Sequence, residues 1–306
     1  MSALQDAYRD YRDELLSAGL LISMGVDGLY GRSGTFERIV EGINIAFSRV
    51  GDPDKPDVMR FPPGIGKWQL EQSGYLKSSP QLVGTIHSFA GDDRDHRAML
   101  ETLEKGGDWT AGQKTTQVAL APAACYGVYP AVAARGPMPA SGALVDCYTY
   151  CFRHEPSIDP ARMQMFRQRE HVRLGTEEQA LTFRKLWMER GQAVIKSLGL
   201  PFEVDVANDP FFGRTGRLLA TSQREEALKF ELLVPITSTE SPTACVSFNY
   251  HRDLFGRGWG ITTSTGDVAH TACVGFGVER ITLALLKHHG LSVEHWPKQV
   301  RDVLGY

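Results

Sequence analysis

Cysteine is scarce: there are five in 306 residues, an odd number. Thiols this few in a chain this long do not form a disulfide framework. They point to a reducing compartment, with some thiols free for metal binding or core packing. Long apolar runs are also missing. No stretch reaches the ~20 residues that a membrane-spanning helix needs. The first fifteen residues are rich in charge (Asp6, Arg9, Asp10, Arg12, Asp13, Glu14) and lack the apolar segment of a secretory signal. A cytoplasmic protein with no membrane partner is expected. Positive charge has no excess, the net charge being −3. Dedicated nucleic-acid binders are usually basic, so the bulk charge argues weakly against RNA as the main partner. Internal repeats and low-complexity tracts are absent, and the 42% of hydrophobic residues can fill a sizeable core.

What is present is periodic. Phe36, Ile39, Val40, Ile43, Phe47 and Val50 recur at intervals of three and four, which predicts a helix over Thr35–Val50. Gly51-Asp52-Pro53 ends it, and a short apolar run, Val58–Phe61, follows before Pro62-Pro63. A second helix is predicted over Glu177–Leu198. Thr176 and Gln179 form its capping box, and Gly199 and Pro201 stop it. Strands are predicted at Gln117–Leu120, Leu144–Arg153, Gln164–Val172, Phe202–Val206, Lys229–Val234, Ala244–Tyr250 and Gly258–Thr263, with a last helix from Val278 to the Gly290 region. Strands joined by loops and hairpins rather than regular βαβ units predict an α+β fold, an antiparallel sheet flanked by helices. One domain over 1–306 is expected, with an N-terminal extension at 1–32 and a helical insert at 209–228.

Two segments carry the chemistry. In Phe152-Arg153-His154-Glu155, alternation along a strand points Arg153 and Glu155 the same way. If the next strand reaches back to Arg162, then Arg162, Phe166 and Glu170 share a face as well. Two arginines, an aromatic ring and carboxylates on one surface suit a nucleotide, with cations for phosphate and a ring for the base. The same pattern also suits a solvated, salt-bridged hairpin. In the second segment, Gly275-Phe276-Gly277 opens the last helix and puts Arg280 in its first turn. Such a turn permits close backbone approach to a ligand. Packing explains it equally, and the GxGxxG spacing of a dinucleotide site is absent.

Taken in order, these segments resemble the signature motifs of class II aminoacyl-tRNA synthetases. Ser33-Gly34, the helix after it and Phe61-Pro62-Pro63 resemble motif 1. Arg153-His154-Glu155 with Phe166 resembles motif 2, and Gly275-Phe276-Gly277 with Arg280 resembles motif 3. The likeness runs from about Ser33 to the C-terminus and is nearest to seryl-tRNA synthetases. It implies an ATP site. In that site Arg153 contacts the α-phosphate, Glu155 lies against adenine, Phe166 and Arg280 sandwich the ring, and Arg162 reaches the γ-phosphate. It also implies Mg²⁺ at Glu240 and Thr243, and Lys229 reaching ATP. Motif 1 implies a homodimer through the Thr35–Val50 helix and the strand near Phe61.

One departure redirects the reading. Ordinary seryl enzymes hold the substrate amine with a Thr-x-Glu triplet, and the aligned stretch here is Pro122-Ala123-Ala124-Cys125. With Glu170 and Cys273 at family ligand positions, Cys125 completes a Zn²⁺ set with one position open for the amine. The zinc-dependent seryl branch has this pattern, and so do the truncated amino acid:[carrier protein] ligases. Stretches resembling the latter are Asn208–Arg214, Phe248–His251 and Ala269–Cys273. Cys147 and Cys151 are expected in the core, because four residues along a strand span about 13 Å.

The resemblance thus implies activation of a small amino acid, glycine or alanine, as its adenylate. The product then passes to the phosphopantetheine thiol of an acidic carrier protein, and no tRNA is expected. Arg214, Arg217 and Arg224 of the insert form either a docking surface or, offset by Glu225 and Glu226, a solvated helix face. Two rival readings are a zinc-type seryl-tRNA synthetase working with a separate RNA-binding partner, and a non-catalytic amino-acid sensor.

Overall fold

The alternating segments around Cys147 and Glu170 do pair, and a large sheet grows from them. In the computed structural model, which describes residues 3–306 apart from the side chains at 214 and 215, seven strands form the main sheet. They are β1 (Asp57–Arg60), β2 (Ala143–Phe152), β3 (Met165–Gly175), β4 (Glu203–Val206), β5 (Lys229–Val234), β6 (Thr243–Arg252) and β7 (His270–Gly277). Their order across the sheet is β1-β2-β3-β7-β6-β5-β4. Edge strand β1 runs parallel to β2, and every other pairing is antiparallel. This is the expected α+β fold.

Register assigns the two faces. Cys147 pairs with Glu170, Gly275 with Glu170, Asn249 with Cys273 and Lys229 with Asn249. Side chains of directly paired residues point the same way, so these residues share one face with Phe166 and Gln168. The opposite face carries Arg167, Arg169, His171, Val274 and Phe276. It is covered by helices α1 (Gly34–Gly51), α2 (Glu177–Ser197) and α4 (Val278–His289). A further helix, α3 (Gly213–Glu225), lies in the insert between β4 and β5.

Helix α1 begins where Ser33 Oγ accepts the Phe36 N–H at 3.2 Å, and α2 begins at the expected Thr176–Gln179 capping box. Phe47 of α1 stacks on Phe276 with centroids 3.8 Å apart, and Trp187 of α2 stacks on His171 at 4.6 Å. Each large side chain buried this way stabilises the fold by roughly 1.5–3 kcal/mol. Gly191 lets α2 lie close to the sheet, since a Cβ there would meet Phe248 at 2.7 Å.

Charges tie the helices to β3 beneath this packing. Arg167 Nε donates to Glu279 of α4 at 2.6 Å, and its Nη1 donates to Glu37 of α1 at 2.6 Å. Arg169 pairs with Asp146 of β2 at 2.7 Å and donates to the Asn44 carbonyl of α1 at 2.6 Å.

Several expectations need correction. The apolar stripe of α1 is not offered to a partner: Phe36, Ile39, Val40, Ile43 and Phe47 are all buried in the chain's own core. Residues 258–263 do not form a strand. Leu254–Trp259 is a short helix ended by Gly260 at φ 64°, and only an isolated Thr262–Val268 bridge follows. The glycine-rich motif before α4 is itself strand β7 rather than a turn. Strand β3 begins at Met165 and does not reach Arg162. Residues 64–120 hold a separate three-stranded sheet and a helix at Asp93–Glu104, of which sequence patterning shows only one strand.

Candidate active site

The uncovered face of the main sheet is closed at one end by two short helices, Val128–Ala133 and Leu254–Trp259. They pack with Val145, Cys147 and Val172 into a second core in which Tyr129 stacks on Phe255 at 4.0 Å. The remainder of that face floors a cavity of about 470 Å³. Its walls are residues 73–82, the loop 122–126 and the insert that carries α3. A smaller recess adjoins it, sharing Arg153, Gln168, Lys229 and Ser247, and holds Phe166, Glu231 and Arg280.

Arginines frame the recess. Arg153 leaves the end of β2, donates from Nε to the Pro122 carbonyl at 3.0 Å and lies over the Phe166 ring at 5.4 Å. Arg280, in the first turn of α4, donates to the Ala161 and Ala244 carbonyls, each at 2.9 Å. Both guanidiniums are therefore fixed by backbone oxygens and present their remaining N–H groups without reorganisation, the arrangement that stabilises developing charge. Between the two spaces Lys229 pairs with Asp209 at 2.6 Å and Glu231 at 3.0 Å. Burial pulls Lys229 down, but the two carboxylates prevail and raise it. Burial likewise opposes the charge on Asp209, yet Lys229 and Gln223 bring its carboxyl down to about 2.

Cys125, Glu170 and Cys273 meet in the larger space. All three are almost wholly buried and line that space together. Glu170 also accepts the Ala124 N–H at 3.0 Å. The hydrogen bond to Cys273, then burial and the nearby Glu170, push the Cys125 thiol up. Burial raises Glu170 as well. Cys273 Sγ is contacted by Asn249 Nδ2 at 3.3 Å and by His251 Nε2 at 3.7 Å.

Among the described residues no three His, Cys, Asp or Glu side chains already stand as a metal cage. Burial opposes ionisation of all three groups, so together they form a site that a cation would relieve. Two sulfurs and one carboxylate oxygen suit Zn²⁺.

Not every expected residue reaches the walls. Glu155 and Arg162 face each other at 3.0 Å in the loop 153–164 and line neither space. Glu240 is exposed in the β5–β6 loop and Thr243 opens β6, both away from the cavity lining. Sequence reasoning placed Asp209 and His251 in stretches resembling the carrier-protein ligases but gave them, and Glu231, no role. Strand alternation from Lys229 puts Glu231 on the same face, which was the available signal for it. Cys147 and Cys151 are buried core thiols, as expected.

No protein-family model matches the chain. Amino acid–[acyl-carrier-protein] ligase 2 of Bradyrhizobium diazoefficiens is 48% identical to it over 290 residues, spanning 95% of this chain and 86% of that one. Ligase 1 of the same organism is 47% identical with 95% and 89% coverage. The chain belongs to the amino acid–[acyl-carrier-protein] ligases.

The type-2 serine–tRNA ligase of Methanopyrus kandleri is more distant from this ligase, at 31% identity over 169 residues, 52% of this chain and 32% of that protein. Among solved structures, M. kandleri seryl-tRNA synthetase in complex with A. aeolicus tRNASec matches with a TM-score of 0.81 at 21% identity. That match covers 96% of this chain and 60% of the other. The Pyrococcus horikoshii seryl enzyme complexed with ATP matches at 0.69 and 14% identity, over 97% and 62%. These two likenesses establish the class II synthetase fold of the ligase. No helix among the described residues is long and apolar enough to cross a membrane.

Proposed function

We propose that this ligase activates glycine or alanine with ATP and transfers it to the phosphopantetheine thiol of an acyl carrier protein. The observation that carries the reading is contiguity. The Phe166–Arg280 recess and the space that holds the Cys125–Glu170–Cys273 cluster share a wall, with Arg153 lining both. ATP would place its adenine between Phe166 and Arg280 and its α-phosphate at Arg153. The amino acid would place its amine at the cluster and its carboxylate at Arg153, in line with that phosphate. Holding two reactants in such a geometry is the main source of rate in adenylate formation.

Zn²⁺ would be held by Cys125, Glu170 and Cys273 and would supply a Lewis-acidic position for the free amine. The protein's part is to fix the ligands, exclude water and keep the carboxylate aimed at Arg153. For Mg²⁺, Glu240 and Thr243 are the sequence-based proposal. Glu231, on the recess wall beside Arg280, offers a carboxylate inside the nucleotide space. Arg162 remains a proposal for the γ-phosphate, which would require its ion pair with Glu155 to open.

The acceptor enters over the insert. Phe212 and Leu218 are exposed apolar side chains there. Arg217 is exposed, whereas Arg224 is engaged by Asp205 at 3.2 Å. Arg214, expected to contribute, lies outside the described side chains. An acidic carrier would dock on Arg217 and the apolar rim, and its pantetheine arm would enter the 470 Å³ cavity. The relatives that match almost the whole chain in sequence are acyl-carrier-protein ligases, which favours the carrier over tRNA as acceptor. A homodimer is also proposed, with exposed Ile45 of α1 and Val58 of edge strand β1 as its apolar contacts.

Pyrophosphate exchange tests the reading. Glycine or alanine should support exchange, and Arg153→Ala or Arg280→Ala should lower it by several orders of magnitude. Absence of exchange with every amino acid would instead support a sensor.

A further inference from the structure

We propose that His251 and Asn249 are positioning residues that hold Cys273 in its metal-binding form by each donating an N–H to its sulfur. The proposal rests on the zinc reading above. A cysteine that binds zinc is a thiolate, an acceptor with no proton of its own. Two nitrogens face that sulfur: Asn249 Nδ2 at 3.3 Å and His251 Nε2 at 3.7 Å. The register explains Asn249, which is the direct cross-strand partner of Cys273.

His251 is fixed from two other sides. Its Nδ1 lies 3.0 Å from the hydroxyl of fully buried Thr271, and its ring meets Phe255 edge-on with centroids 5.0 Å apart. Against a thiolate, a lone pair on Nε2 would be repelled, so Nε2 carries the proton. Nδ1 is then the acceptor and the Thr271 hydroxyl donates to it. With this one tautomer every group in the series Thr271, His251, Cys273 is matched, donor to acceptor. The sulfur is thereby oriented, and part of its negative charge is spread onto two N–H dipoles. Such outer partners of a metal ligand typically matter by about 10–100-fold in metal affinity.

The test uses the full chain as wild type, His251→Leu, His251→Gln and Asn249→Leu. Zinc affinity is measured by chelator competition. Bound Co²⁺ reports on the sulfur through its thiolate-to-metal charge-transfer band. The expected result is weaker binding by about 10–100-fold in His251→Leu. Its band should shift to lower energy, because a thiolate without donors gives up charge more readily. Asn249→Leu should shift the band the same way. Glutamine at 251 can still donate an N–H and should recover much of both readouts. It also keeps the test decisive if the leucine variant fails to fold. Wild-type affinity and an unmoved band in His251→Leu would overturn this proposal alone. Glutamine losing metal as fully as leucine would show His251 to be a direct ligand, which also overturns it. Wild type taking up neither zinc nor cobalt would overturn the zinc reading and this inference with it.

Discussion

Glu279→Ala is expected to destabilise the fold through two stranded arginines. Glu279 is buried in the first turn of α4, with one oxygen 2.6 Å from Arg167 Nε and 3.3 Å from Arg32 Nη2. Its other oxygen accepts the Arg167 backbone N–H at 2.8 Å. Alanine removes all three contacts and leaves two guanidiniums, 8% and 9% exposed, short of a counter-charge. Breaking a buried ion pair from one side costs about 3–5 kcal/mol, because the remaining charge stays desolvated. Arg167 keeps Glu37 and Arg32 keeps the Met165 carbonyl at 3.0 Å, which places the expectation near the lower end of that range. Glu37→Ala is the control. Glu37 is far more exposed than Glu279 and, among the described residues, pairs its carboxylate only with Arg167, through two hydrogen bonds that solvent screens, so its loss should cost about 1.5–3 kcal/mol. Urea unfolding followed by circular dichroism measures both. Glu37→Ala proving as costly as Glu279→Ala, or Glu279→Ala costing under about 1 kcal/mol, would refute the assignment of Glu279 as the common anchor.

Cys125→Ala, Glu170→Ala and Cys273→Ala should each lose bound zinc, measured by elemental analysis. Unchanged zinc in all three would show that the ligands lie elsewhere. Phe166→Ala should raise the KM for ATP by roughly 5- to 150-fold, as expected for about 1–3 kcal/mol of lost base stacking. An unchanged KM would remove the adenine from that recess. Light scattering at micromolar concentration should give twice the 33.9 kDa chain mass, and Ile45→Glu should halve it. A monomeric wild type would refute the dimer.

The sequence made the helix side of the fold legible because helix signals are local. Thr176 and Gln179 mark their own helix start, and the spacing of Phe36 to Phe47 marks one face. It did not show what that face meets. The stripe on α1 looks the same whether it packs on a partner or on Phe276. Strand β7 was hidden because Gly275 and Gly277 look like a turn, although both pair within the main sheet. The three proposed ligands Cys125, Glu170 and Cys273 lie far apart along the chain, and nothing local joins them. Only the resemblance to known motifs brought them together, and the register of β3 against β7 now accounts for two of them. Glu155 and Arg162 show the opposite case, since their types and order matched a motif while the fold turned them toward each other. His251 stood in a stretch resembling the carrier-protein ligases but received no role, because its neighbour Cys273 lies across a strand pair rather than nearby in sequence.

Transfer of labelled glycine or alanine tests the central claim most directly. Enzyme, ATP and amino acid are incubated in parallel with phosphopantetheinylated carrier protein, the same carrier without its arm, and total tRNA. The account predicts label on the armed carrier as a hydroxylamine-sensitive thioester, none on the armless carrier, and pyrophosphate exchange unaffected by which acceptor is present. Label on tRNA with none on any carrier would contradict it.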